Sequence, residues 1–153
     1  MPKTQTKSKL EKINTENMEI NLEDLKAKEN KLQATLMKSK IKEVASLEKI
    51  RTALDEMKTK DGIVGYILRN TKSASIDLND PTKIIDYAVL SSSARETGKE
   101  LSQTFDLGEI KHVLVAGKNV KLLSLTIGEN DISIFMEKNV DHNEIYKTLC
   151  NIA

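Results

Sequence analysis

The chain has 153 residues, of which 39% are hydrophobic, 31% charged and 3% aromatic, so its length fits one ordinary domain with an extension. A formal net charge of +1 argues against binding nucleic acid through bulk charge, and the one cysteine excludes an intramolecular disulfide and a cysteine-based zinc site. No apolar run reaches the roughly 18 residues of a membrane-spanning helix and the start lacks a signal peptide's apolar stretch, so we expect a cytoplasmic protein without direct membrane insertion.

The composition of the first sixty residues favours long helices. These residues contain no glycine, since all six glycines lie at Gly62 or later, and they are rich in Lys, Glu, Leu and Ala. Residues 1–20 are polar and lysine-rich, and we expect a disordered tail there. Residues 21–40 are predicted to form a helical, coiled-coil-like arm, and residues 41–153 to form the folded domain.

The arm has a predicted coiled-coil seam of leucines at intervals of three, seven and four. Its members are Leu22, Leu25, Leu32 and Leu36. After a stutter-like interval of eight the series continues with Val44, Leu47, Leu54 and Met57, and Glu29, Lys40 and Arg51 occupy the skipped positions. Because so narrow a stripe needs something to bury it, the pattern favours pairing with another chain or with the domain body over a solvated helix.

The second part of the chain has the hydrophobic period of strands. The predicted strands are residues 63–68, 74–78, 110–116, 120–127 and 132–137. A helix is predicted from Pro81 to about Phe105 with Asp80 as its cap, and Asp141 caps a last short helix. The order helix, two strands, helix, three strands, helix predicts an α/β sandwich (α+β) around one five-stranded, mainly antiparallel sheet.

The middle helix is predicted to have a core stripe and a second apolar face. The stripe expected to face the sheet is Ile84, Tyr87, Leu90, Ala94, Leu101 and Phe105. Ile85 and Val89 lie off this stripe, with Ser92 one turn beyond, and several small residues make the helix thin. An apolar strip flanked by small residues predicts a contact surface on this second face.

No motif for catalysis, cofactor binding or metal binding is found in the sequence. The nearest match to a phosphate-binding loop, residues 112–119, lacks the leading glycine and has Asn119 where Ser or Thr would hold magnesium. His112 is interpreted as a half-buried strand residue or interface group, and Cys150 as a small buried hydrophobe. We therefore predict a protein without catalytic activity, cofactor or metal.

The order of the elements and three local segments resemble a known domain family. The segments are the helix Val44–Met57 leading into Asp61-Gly62-Ile63-Val64-Gly65-Tyr66-Ile67-Leu68, the middle helix with Ala88, Ser91 and Ala94, and the hairpins from Val113 to Met136. In them, residues 41–152 resemble the roadblock (dynein-light-chain-like) domain, and Val120–Gly128 is the most typical piece. Longin and profilin-like folds share this layered architecture.

The resemblance implies a non-catalytic dimerisation module. Such domains typically pair so that two sheets join edge to edge and the middle helices lie side by side, and many regulate or scaffold small Ras-like GTPases. By resemblance, the joining edge is residues 110–116. The contact residues that the resemblance implies are Val113, Leu114 and Val115 on this edge and Ile85, Val89, Ser92 and Glu96 on the helix.

Two hypotheses for the function stay open at this point. The leading one is a non-catalytic homodimeric adaptor or regulator that binds a small GTPase or another roadblock- or longin-type protein, and no nucleic acid. The alternative is a structural tethering protein whose coiled-coil arm and dimeric domain scaffold a larger assembly. The first predicts binding that depends on the nucleotide state of the partner, and the second predicts self-association dominated by residues 22–57.

Overall fold

The structure, a computed structural model, describes the backbone of residues 3–152 and the side chains of residues 21–152. Its elements are α1 (Lys3–Lys58), β1 (Ile63–Arg69), β2 (Ala74–Leu78), a 3₁₀ turn (Pro81–Lys83), α2 (Ile84–Phe105), β3 (His112–Ala116), β4 (Val120–Ile127), β5 (Asn130–Glu137) and α3 (His142–Cys150). The predicted disordered tail at residues 1–20 lies outside the described side chains and stays a prediction. The chain divides into two compact units, Met1–Ala45 and Ser46–Ala153.

The five strands form one sheet in the order β2-β1-β5-β4-β3. Every neighbouring pair is antiparallel, which confirms the predicted five-stranded α+β sandwich. β3 begins at His112, two residues later than predicted, and β5 begins at Asn130, two residues earlier. The sheet therefore ends in two edge strands, β2 and β3, which have no partner on one side within the described residues.

Each face of the sheet is covered by helices. The helical side chains on one face come from the end of α1 and from α3, and they are Ile50, Leu54, Met57, Ile145 and Leu149. On the other face α2 packs against the sheet through Ala94, and the Tyr87 ring stacks on the Phe135 ring with 4.4 Å between the centroids. The sheet is thus the middle layer of the second unit, with an apolar cluster on each side.

The side chains that α2 buries are small. Ser91, Ala94 and Gly98 are buried, and the Ser91 and Ser133 hydroxyl oxygens lie 2.5 Å apart. A Cβ at Gly98 would lie 2.8 Å from Cγ2 of Val113, so the helix approaches the sheet too closely to place a large side chain there. The predicted core stripe is right for Ile84, Tyr87 and Ala94, which belong to or pack against the apolar cluster on this face. It is wrong for Leu90, Leu101 and Phe105, which are exposed.

Polar contacts join the end of α1 to the hairpin of β1 and β2. The Tyr66 hydroxyl donates a hydrogen bond of 2.8 Å to the Asp55 carboxylate, and Lys58 forms an ion pair with Asp77. Burial, together with the hydrogen bond to Asp55, raises the pKa of Tyr66 to about 12. The phenol therefore stays a neutral donor across the physiological pH range.

Deleting residues 1–38 is expected to leave the domain folded. The side chains of residues 21–45 are all exposed, whereas the buried residues of α1, from Ile50 onwards, remain in the shortened chain. Circular dichroism should show one cooperative thermal transition within about 5 °C of that of the full chain, because almost no buried area is lost. An insoluble or molten product would show that the arm belongs to the core and that the predicted boundary at residue 41 is wrong.

Candidate interaction surface

β3 is an edge strand that contains no Lys, Arg, Asp or Glu, and after His112 its residues are all apolar. It pairs with β4 in a register that places Val113 opposite Ser124 and Val115 opposite Leu122. Val113 is half-buried, while Leu114 and Val115 are exposed. Because successive side chains of a strand point to opposite faces, Val113 and Val115 lie on the side of α2 and Leu114 lies on the other side. An open edge without a charge or a proline is a template for pairing with another chain.

An apolar groove of about 450 Å³ lies between β3 and α2. Val113 and Val115 line it on the strand side. The exposed helical residues that line it, here called the β3 flank, are Leu90, Ser93, Thr97 and Leu101, and the buried Ala94 and Gly98 form its floor on the helix side. The predicted core stripe included both leucines. The burial of Ser91 and Gly98, two turns apart, instead locates the sheet-facing line of the helix between the two flanks, and no local sequence signal distinguishes this line from the leucines beside it.

The four helical residues predicted for the contact lie on the other side of α2. We call this side the outer flank, and its members are Ile85, Val89, Ser92 and Glu96. Ser92 Oγ accepts a hydrogen bond of 3.1 Å from Arg69 in β1, which places this flank towards β1 and not towards β3. Ile85 and Val89 are 76% and 60% exposed. The structure thus brings Val113 and Val115 together with the β3 flank and not with the outer flank, while Leu114 lies on the opposite face of the sheet.

Arg95, the one arginine of α2, binds to the sheet. Its guanidinium forms an ion pair with the Asp131 carboxylate in β5. The other oxygen of that carboxylate accepts a hydrogen bond of 2.8 Å from Thr126 in β4. Both members of the ion pair are only partly exposed, so the contact fixes α2 against the two neighbouring strands.

Cys150 is exposed, so the prediction that it is a small buried hydrophobe is wrong. The reason is the spacing along α3, where Ile145 and Leu149 occupy the buried positions and Cys150 follows on the outer side. His112 is also exposed and not half-buried, and its ring centroid lies 4.6 Å from that of Tyr146. A hydrogen bond with the Cys150 side chain raises the pKa of Tyr146.

The described part of the chain offers several exposed surfaces to partners. Within residues 21–152, no three His, Cys, Asp or Glu side chains are placed to hold a metal ion. None of the described helices is both long and apolar enough to cross a membrane. What the arrangement does offer is an open strand edge, the β3 flank beside it, and the apolar outer flank.

Solved structures with the same fold are roadblock proteins. The Roadblock/LC7 domain from Streptomyces avermitilis aligns with a TM-score of 0.53 and 15% identity, over 67% of this chain and 86% of that one. MglB from Myxococcus xanthus aligns with a TM-score of 0.53 and 10% identity, over 68% of this chain and 88% of that one. No protein-family model matches the sequence, and no curated protein is significantly similar to it. The chain has the roadblock fold.

Replacing Arg95 by alanine is expected to destabilise the fold by about 1 kcal/mol, because the partly buried Asp131 carboxylate loses its charged donor. Urea unfolding measures this as a lower midpoint with an unchanged slope. Lys99→Ala is the matched control, since Lys99 is an exposed cation on the same helix. Equal midpoints for the two variants would show that the ion pair contributes nothing to stability.

Proposed function

We propose that this protein is a non-catalytic homodimeric adaptor or regulator that binds a small Ras-like GTPase. The observation that carries the proposal is the open, uncharged β3 edge on a domain with the roadblock fold. The resemblance of residues 41–152 to roadblock domains supports both parts of it, because such domains pair edge to edge and many regulate or scaffold GTPases. The exposed apolar side chains on both flanks of α2 add a physical reason for binding.

In the proposed dimer, the β3 strands of two copies pair antiparallel about a two-fold axis. This pairing satisfies the free backbone groups of both edges and joins the two sheets into one. It also brings the β3 flanks of the two α2 helices side by side. Leu90 and Leu101 of each copy then lie over the pair of β3 strands. Val115 lies on the same side of the sheet and is covered with them.

The outer flank stays free in this dimer, and we assign it to the GTPase partner. Its residues Ile85, Val89, Ser92 and Glu96 were placed in the dimer contact by resemblance alone. Ile85 and Val89 are exposed apolar side chains, and Glu96 is an exposed charge beside them. An apolar centre with a polar margin is the usual composition of a protein-binding patch.

Regulation in this proposal acts on the bound GTPase and not through chemistry of the chain itself. The sequence lacks the Gly-Lys-Ser/Thr ending of a P-loop, which holds the phosphates and magnesium of a nucleotide. The ion pair with Asp131 occupies Arg95, the arginine of α2 that could otherwise act as a catalytic finger. In this proposal the chain acts by holding the switch segments of the bound GTPase in one arrangement.

A structural tethering protein is the second candidate, and the arm is the observation that favours it. The seam residues Leu22, Leu25, Leu32 and Leu36 are all exposed. A tether predicts that removal of residues 1–38 abolishes self-association. The adaptor proposal predicts that the shortened chain remains a dimer through β3.

Val115→Lys is expected to weaken the β3-mediated dimer at least about thirtyfold, because the change buries an unpaired ammonium group in the joint, at a cost of about 2 kcal/mol. Sedimentation equilibrium of the chain without residues 1–38, at tens of micromolar, measures the change without a contribution from the arm. Ile76→Lys is the matched control, since Ile76 is an exposed β-branched residue on the other edge strand. A wild-type monomer, or an equal effect of both variants, would contradict the proposed dimer.

Capture of the partner is expected to depend on its nucleotide. The full chain as bait, with a non-hydrolysable GTP analogue or GDP in the lysate, should retain one GTPase preferentially in one of the two states. Val89→Asp should lose that GTPase and remain a dimer, because it places a charge on the outer flank only. The purified protein alone should not hydrolyse GTP. Hydrolysis by the protein alone, or capture that ignores the nucleotide, would contradict the proposed function.

A further inference from the structure

The arm leaves a whole apolar seam uncovered. The seam residues Leu22, Leu25, Leu32, Leu36 and Val44 are each at least 52% exposed. A single helix in water gains little stability without tertiary packing, and most of its stability in proteins comes from burying its apolar face. A partner helix whose apolar residues have the same spacing would bury this seam and stabilise the arm.

Two opposite charges interrupt this seam. Glu29 lies between Leu25 and Leu32, and Lys40 lies between Leu36 and Val44. The two charges are eleven residues apart, which is about 16 Å along a helix, so they cannot pair within one arm. None of the ion pairs among the described side chains includes either of them.

The seam of one copy is complementary to the seam of a second copy that runs in the opposite direction. In an antiparallel pair, the residue numbers of facing residues add to a constant. Leu25 then faces the second copy's Val44, and Glu29 faces its Lys40. The residue numbers in both of these pairs add to 69. Leu32 faces the second copy's Leu36, and these numbers add to 68, a shift of about 1.5 Å. A nearly constant sum keeps the apolar seam residues from Leu25 to Val44 opposite apolar residues, and Glu29 opposite Lys40.

We propose that residues 22–45 of α1 pair with the same residues of a second copy in an antiparallel two-helix coiled coil, in which Glu29 of each copy pairs with Lys40 of the other. The contact is two-fold symmetric, so both ion pairs form at once. Charged residues in a seam cost stability but select register and orientation. This contact is separate from the β3 edge and does not depend on the proposed GTPase.

Parallel pairing of the arms is disfavoured by the same two residues. It would place Glu29 against the second copy's Glu29 and Lys40 against its Lys40, so that both charged layers become repulsive. The two orientations also differ in the distance between equivalent residues of the two copies. In the antiparallel pair, the Ala45 residues of the two copies are about 32 Å apart along the axis and the Ala34 residues about 2 Å, whereas in a parallel pair both offsets are near zero.

Distances between spin labels test the orientation in the full chain. Labels are attached to Ala34→Cys or, separately, to Ala45→Cys, each in a Cys150→Ser background because Cys150 is exposed. Both alanines are exposed and lie on the side of the arm away from the seam. Pulsed electron paramagnetic resonance should give a clearly longer distance at Ala45 than at Ala34. Equal distances, or no defined distance between arms, would overturn the proposal.

Charge reversal tests the register. Glu29→Lys or Lys40→Glu alone should weaken the pairing of the arms by roughly five- to thirtyfold, because two attractive contacts become repulsive, and the double variant should restore it. Glu23→Lys is the matched control, since Glu23 is exposed on the opposite side of the arm. An equal effect of the control, or no rescue in the double variant, would overturn the register. Val115→Lys should leave the distances between the arms unchanged, so failure of the β3 dimer is distinguishable from failure of this contact.

Discussion

The unpaired backbone edge of β3 is the constraint on which the rest of the candidate surface depends. In an edge strand, alternate N–H and C=O groups point away from the one neighbouring strand, which is β4 here. Water can satisfy these groups, but the exposed side chains beside them, Leu114 and Val115, are apolar. A second strand satisfies the backbone groups and covers the side chains in one step, and we therefore assign this edge to self-association.

The close approach of α2 to the sheet decides which part of the helix is left for partners. The Ser91 hydroxyl in α2 forms a hydrogen bond with the Ser133 hydroxyl in β5, and a Cβ at position 98 would be too close to Val113 in β3. Because small residues occupy the sheet-facing line of the helix from Ser91 to Gly98, the large apolar residues beside them lie on the two flanks. Leu101 on the β3 flank and Val89 on the outer flank therefore point to different neighbours, and one helix can serve two contacts.

Local patterns were sufficient to predict the elements and the fold, because helix caps and strand alternation depend on residues near in sequence. Asp80 accepts a hydrogen bond from Thr82 at the start of the middle helical segment, and Asp141 accepts one from Asn143 at the start of α3. The rotation of α2 about its axis could not be predicted in this way, since close contacts with β3 and β5 decide it. The ion pair between Arg95 and Asp131 joins residues 36 positions apart and has no local signal.

Hydrogen exchange of the β3 backbone at two protein concentrations tests the central claim most directly. If a second copy covers the edge, the amides of residues 112–116 that do not bond to β4 should exchange slowly in the concentrated dimer and quickly after dilution. The amides of residues 74–78 in β2, the other edge strand, should exchange at the same rate under both conditions. Exchange in β3 that does not respond to concentration, as in β2, would contradict the account.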